Sequence, residues 1–325
     1  MHKYQLILLF ADPAARRTPA FERARYLAEK TGAALHICVA AYSRTIAAAG
    51  FLSRRGTDSA RQGFMGECTQ LLEQEASALR GQGLRVSTEA VWSSKPEEVI
   101  LGLVEKLRPD LVVKDAHGGS ALPGMHADAD RILLRTCPAP LLLVHAETAG
   151  APRRIAAAVD TDRERRSDAA FNNLIVHTAG YFGSLGGAEV HLLHAEPHLV
   201  LPGVPMRHGH PIKGRTAPPL PRSPFETFAE LHHVPLDHCH RLAGATVDAV
   251  SEFVGGHHID LLVLGTEPRP FLQRLRRGNK IERINYYSFC DVLALKPPRL
   301  WKREPAANAT AALAAQARPG DRATG

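Results

Sequence analysis

Residues 265–279 read GTEPRPFLQRLRRGN, between an apolar run (DLLVLGT, 260–266) and a helix-like segment, KIERINYYSF. Gly265 and Gly278 frame a strongly basic interior. A connection of this kind suits an anion. Glycines let backbone approach a phosphate closely, successive N–H groups form a concave nest, and the following helix start adds a partial positive charge. Arg269 is placed to add a charge-assisted contact. Pro268 works against this, because it has no N–H and a fixed φ. The same residues also have a purely structural reading. Asn279 and Glu282 fit the N-cap and N3 positions of a capping box, and Arg274, Arg276, Arg277, Lys280 and Arg283 fit a solvated basic face.

A second group with chemical potential is histidine. Eleven of the 17 histidines fall between His191 and His258. His191, His194 and His198 are spaced H-x2-H-x3-H, but on a strand and its exit, where His191 and His194 face opposite sides. His238-Cys239-His240 puts two imidazoles on one face of a strand and the thiol on the other. His238, His240 and a loop histidine such as His208 or His210 would suffice for zinc. The simpler reading, adopted here, is packing, with no metal expected. Hydrolase and transferase signatures are absent: the chain contains no GxSxG, no GxxxxGK[ST] and no HExxH. A dinucleotide fold would show GxGxxG after its first strand, where this chain has Ala11-Asp12-Pro13 or Asp160-Thr161-Asp162. No residue set supplies a chemical step.

The elements that must position these residues alternate along the chain. Strand-like runs at 5–12, 34–42, 84–93, 110–116 and 139–146 are separated by helical stretches at 19–32, 61–83, 94–109 and 128–136. Ser94 is the expected N-cap of the third helix, with Pro96 in its first turn. The order then repeats, with strands at 153–162, 188–197, 237–244, 260–266 and 291–297 and a helix at 225–234. Asp12 and Asp110 are 98 residues apart, Asp160 and Asp260 are 100 apart, and each pair ends a first strand and opens a fourth. A repeat of this length predicts two copies of one α/β domain, each a parallel sheet covered on both faces. Ligands in such sheets sit beyond the carboxyl ends of the strands where strand order reverses. In the second copy those ends are Asp160-Thr161 and Gly265-Thr266. Residues 198–224, rich in Pro, Gly and His, read as a long functional or mobile loop, and the Ala-rich stretch from Trp301 as a disordered tail.

Composition agrees with a globular, cytoplasmic chain. Apolar residues make up 45% and the net charge is +7, spread out rather than gathered into a nucleic-acid arm. Five cysteines without a CxxC pair predict unpaired, mostly buried thiols. The apolar run Leu6–Phe10 is too short to direct export or to span a bilayer.

The whole pattern resembles the universal stress proteins, closest to their E-type tandem members. The residues that carry the resemblance are KYQ…ADP at 3–13, RQG at 61–63, VW at 91–92, LLRTCPAP at 133–140, VLGT at 263–266 and Gly278-Asn279. ATP-binding members carry Gly, two residues, Gly, nine residues, Gly and then Ser or Thr. This chain has Gly265, two residues, Pro268, nine residues and Gly278-Asn279. The resemblance covers residues 3–298. It implies two tandem Rossmann-like, five-stranded sandwiches of the adenine nucleotide alpha hydrolase type, at 1–147 and 152–298, packed as a pseudo-dimer, with 299–325 outside them. A further homodimer is compatible with it.

The resemblance also implies a binding or regulatory role in stress resistance, with ATP as the ligand. Asp160 and Thr161 would face the adenosine side, and Gly265, Thr266, Arg269, Gly278 and Asn279 would surround the phosphates. Two alternatives stand beside this: a binder of a lipid or other small molecule acting through protein partners, and a slow ATPase or nucleotidyl transferase on the same fold. In the first half the counterparts of Gly265 and Gly278 are Asp115 and Asp128, within DAHGGSALPGMHADAD. No nucleotide is expected there.

Overall fold

The computed structural model describes residues 4–11, 17–49, 54–116, 125–145, 151–161, 166–196, 223–243, 246–266 and 290–297. Pro268, Arg269, Gly278, Asn279 and the capping box proposed at 279–282 lie outside the described residues, as do 198–222 and the tail.

The first half comprises β1 (Leu6–Phe10), α1 (Pro19–Thr31), β2 (Ala34–Ala41), α2 (Arg44–Ala49), α3 (Arg54–Gly81), β3 (Val86–Trp92), α4 (Pro96–Leu107), β4 (Leu111–Asp115), α5 (Met125–Thr136) and β5 (Leu141–Val144). The second comprises β6 (Arg154–Val159), α6 (Arg166–Gly186), β7 (Glu189–Glu196), α7 (Pro224–Leu231), a 3-10 turn at Leu236–His238, β8 (Cys239–Ala243), α8 (Thr246–Gly256), β9 (Leu261–Gly265) and β10 (Asp291–Leu295).

All ten strands form one sheet, in the order β3-β2-β1-β4-β5-β10-β9-β6-β7-β8. Read outward from the centre, each half has the same order, and strand order reverses between β1 and β4 and between β6 and β9. Every described pairing is parallel except β5 with β10, which is antiparallel through Leu142 and Leu293. The two expected five-stranded sheets are therefore fused edge to edge. An antiparallel junction is what a two-fold relation between the halves requires, and it leaves neither inner edge unpaired.

Local contacts repeat with the topology. Asp110 Oδ2 accepts the N–H groups of Gln5 (2.7 Å) and Leu6 (3.0 Å). Asp260 Oδ2 accepts those of Arg153 (2.7 Å) and Arg154 (2.9 Å). The two spaced aspartates thus tie the start of the first strand to the start of the fourth in each half. Gly32 and Gly187 occupy the left-handed region at φ 70° and 72° after their helices, where a side chain would be strained.

Strands such as LILLF are buried along their whole length because helices cover both faces. Ile7 and Leu9 face one core with residues of α1, α3, α6 and α7. Leu6, Leu8 and Phe10 face the other, with α4, α5 and α8. The halves are also joined across the seam. The buried Arg23 guanidinium on α1 lies 2.9 Å from Asp291 Oδ2 on β10, while Asp291 Oδ1 accepts the His145 N–H at 2.9 Å. The Lys296 ammonium donates to Leu134 O at 2.5 Å, meeting the carbonyl end of α5. Tyr4 packs on Tyr181 and Phe182 at centroid distances of 5.3 and 6.1 Å.

Two local expectations are corrected. Lys95, not Ser94, is the N-cap of α4, and it makes no side-chain capping bond. The hydroxyl that serves this corner is Ser93 Oγ, which accepts the Lys95 N–H at 3.1 Å. His238 lies in the 3-10 turn rather than on the strand, because β8 starts only at Cys239.

Candidate ligand site in the second half

The carboxyl ends of β6 and β9 lie side by side, as the register Ala158↔Leu264 shows. Asp160 follows β6 and is exposed. Its backbone is gripped by one side chain of α6: the Asp160 N–H donates to Asn172 Oδ1 (3.2 Å), and Asn172 Nδ2 donates to Asp160 O (2.7 Å). A buried amide can serve one donor and one acceptor at once, so Asn172 sets the direction in which the chain leaves the sheet.

Thr161 and Thr266 come next on the two strands. Thr266 is 1% exposed, and its N–H extends the ladder to Leu295 O at 2.7 Å. Among the described residues its hydroxyl has no hydrogen-bond partner, and neither does the shielded hydroxyl of Thr161. A buried hydroxyl left unpaired costs about 1–3 kcal/mol, so two at the exits of adjacent strands are an expense that a bound polar group would remove.

Gly265 has a reason of its own. A Cβ there would lie 2.5 and 2.7 Å from Phe171 Cε1 and Cζ, and 3.1 Å from Ile175 Cδ1. The space a side chain would need is taken by the first turns of α6 packing onto β9. The glycine is required by helix–strand contact whether or not a phosphate approaches it.

The same place in the first half is built differently. Asp115 Oδ1 accepts the Ala20 N–H at the start of α1 at 3.0 Å, beside the capping bond from Phe21 N–H to Thr18 Oγ1 (3.3 Å). The Lys114 ammonium, 2% exposed, donates to Asp130 Oδ1 (2.6 Å) and Asp115 O (2.7 Å). Asp115, the sequence counterpart of Gly265, thus places its carboxylate at the start of α1. Sequence reasoning missed this pair. Its signal was a lysine inside the otherwise apolar strand DLVVKDA, with aspartates in the following helix.

Of the proposed site residues, the structure brings Asp160, Thr161, Gly265 and Thr266 to one end of two adjacent strands. It adds Asn172 and Phe171, which no motif flagged. A nucleophilic thiol is not part of the arrangement. All five cysteines are free, and burial pushes Cys38 and Cys290 up to about 12 and Cys137 to about 11. Among the described residues, no three His, Cys, Asp or Glu side chains converge to hold a metal ion, and no helix is long and apolar enough to cross a membrane.

Residues 3–145 match the universal stress protein family. Universal stress protein E of Salmonella typhi is 27% identical over 308 residues, spanning 91% of this chain and 96% of that relative, and so runs through both halves. The first half is thus a universal stress protein domain, and the likeness to the E-type relative runs through both halves. Two solved structures share the fold across both halves. One is a functionally unknown protein from Pseudomonas aeruginosa PAO1, 22% identical with a TM-score of 0.67, covering 91% of this chain and 94% of that one. The other is a universal stress protein from Archaeoglobus fulgidus, 11% identical with a TM-score of 0.61, covering 90% and 96%. The tandem, E-type resemblance therefore extends over the full ten-stranded sheet, and stress response is the family's role.

Proposed function

We propose that this protein acts by binding, with one ligand site per chain in the second half, and that ATP or a related nucleotide is the ligand. The observation that carries this is the pair of buried hydroxyls of Thr161 and Thr266 at the point of strand-order reversal, without a partner among the described residues. Asp160 beside them suits the ribose and adenine side. Gly265, Thr266, Arg269, Gly278 and Asn279 are assigned to the phosphates. The proposal treats 1–147 and 152–298 as two domains of a pseudo-dimer in the cytoplasm, with signalling through occupancy rather than turnover.

A calorimetric ATP titration of the full chain tests it. One site per chain is expected, weakened by Thr266→Val and by Gly278→Val and unaffected by Asp128→Ala. No heat of binding, together with a lipid or other small molecule retained by natively purified protein in mass spectrometry, would overturn the nucleotide assignment. That second ligand class has one observation in its favour. Pro268 removes an N–H from the loop, so a ligand needing fewer backbone donors fits it better. Steady ATP hydrolysis lost on Gly278→Val would instead mark an enzyme.

A further inference from the structure

The outer edge of the second half holds four imidazoles drawn from separate elements. His191 is on β7, His238 in the 3-10 turn, His240 on β8 and His257 just beyond α8. His191 Nδ1 lies 3.1 Å from His240 Nε2. Two ring nitrogens bond at that distance only if one carries a proton and the other a lone pair. The His238 ring lies 4.6 Å from that of His191, and the His257 ring 5.7 Å from that of His240. His238 Nδ1 and His257 Nδ1 contact the carbonyls of Val190 (3.3 Å) and Phe253 (3.1 Å), which makes both of them N–H donors. Phe253 backs the group, stacked on His257 at 3.9 Å and against His240 at 4.5 Å.

Among the described residues, the other charged groups facing the cluster are Glu189 and Arg154. Glu189 Oε2 is 3.9 Å from His191 Nε2 but also 3.4 Å from Arg154 Nε, and its side chain is 58% exposed. Arg154 Nη1 donates to His257 O at 3.2 Å. One solvated, shared carboxylate thus faces four imidazoles and a guanidinium.

We propose that these histidines form a proton-sensitive latch on edge strand β8. Neutral, the cluster ties β8 and the turn before it to β7 and α8. Once His191 and His240 are both protonated, two donors face each other with no acceptor between them, and the edge opens. Burial first, and then the neighbouring imidazoles, hold His191 and His240 below the usual histidine value. The folded state therefore favours their neutral forms. Their contribution to stability is complete above the unfolded value of about 6.5 and is lost as pH falls through the folded values.

The opposite edge lacks this device. There His36 Nδ1 meets Ser87 Oγ at 2.7 Å, with Glu89 Oε2 at 3.7 Å from His36 Nε2. A hydroxyl can accept from a charged ring, so that contact survives protonation; burial holds this single ring below the usual histidine value as well, so only a smaller slope than at β8 is expected here.

Amide hydrogen exchange of the full chain between about pH 7.5 and 5, corrected for the chemical exchange rate, tests the latch. The opening constant of residues 236–243 should rise about tenfold per pH unit for each proton taken up, well beyond that of 86–92. His240→Gln, which hydrogen-bonds without titrating, should lower the slope by at least one proton. Parallel opening of both edges, or an unchanged slope in His240→Gln, would overturn the proposal. So would stoichiometric Zn²⁺ binding lost in His240→Gln, which would make the cluster a metal site. Ring-proton NMR titration of the unmutated protein gives a readout that does not depend on the variant folding. Coupled titrations of His191 and His240 below the usual value are expected, and independent, ordinary ones would refute the latch.

Discussion

The two halves share strand order, aspartate clamps and left-handed glycine corners, yet they end their first and fourth strands in opposite ways. In the first half the described strand ends make internal side-chain contacts. Asp115 occupies the start of α1 and Asp130 neutralises Lys114. In the second half Gly265 stands in place of the acid, Phe171 fills the space it leaves, and two threonine hydroxyls have no partner among the described residues. The two copies thus end the same strands with different local chemistry, one with carboxylate contacts to a helix start and a buried lysine, the other with close helix–strand packing.

The sharpest way to break this comparison is to unpair the first half. Asp130→Ala strands the buried Lys114 charge and should cost about 3–5 kcal/mol in urea unfolding, while Lys114→Met with Asp130→Leu should cost far less. Similar losses for the single and double variants would mean that the stranded charge is not the cause. Next in size is Gly265→Ala. Overlap with Phe171 should cost about 1–3 kcal/mol, with part of the loss restored by Phe171→Leu in a double-mutant cycle. No recovery would put the glycine's role in the loop rather than in packing.

Asp115→Ala removes an acceptor from the start of α1 and should lower stability by about 1 kcal/mol without creating an ATP site. Nucleotide binding in that variant would show that the acid blocks a latent site. The smallest effect is expected from Pro268→Gly. It restores one N–H and should tighten ATP binding about threefold to tenfold by calorimetry. Unchanged affinity would count against a backbone nest in this loop.

The repeat was legible because it rests on local signals. Apolar runs of strand length, helices between them and paired aspartates about a hundred residues apart survive in any linear reading. Gly265-Thr266 and Asp160-Thr161 could be placed at strand ends for the same reason. Lys114 with Asp130, Asn172 on the Asp160 backbone, and Phe171 over Gly265 could not, since each is defined by which face of a helix meets which strand. The α4 corner shows the limit even locally. Ser93 and Ser94 are equally good caps by composition, and only the backbone path decides that Ser93 serves Lys95.

The sequence by itself determined an α/β chain of two similar halves and its likeness to the universal stress proteins, because periodicity and spacing encode those. Tertiary structure alone decided that β5 and β10 pair antiparallel into one ten-stranded sheet. It also decided that Arg23 and Asp291 meet across the seam, and that His191, His238, His240 and His257 gather at one edge. Those contacts join residues far apart in the chain. They exist only once burial of both sheet faces has fixed the register and brought the elements together.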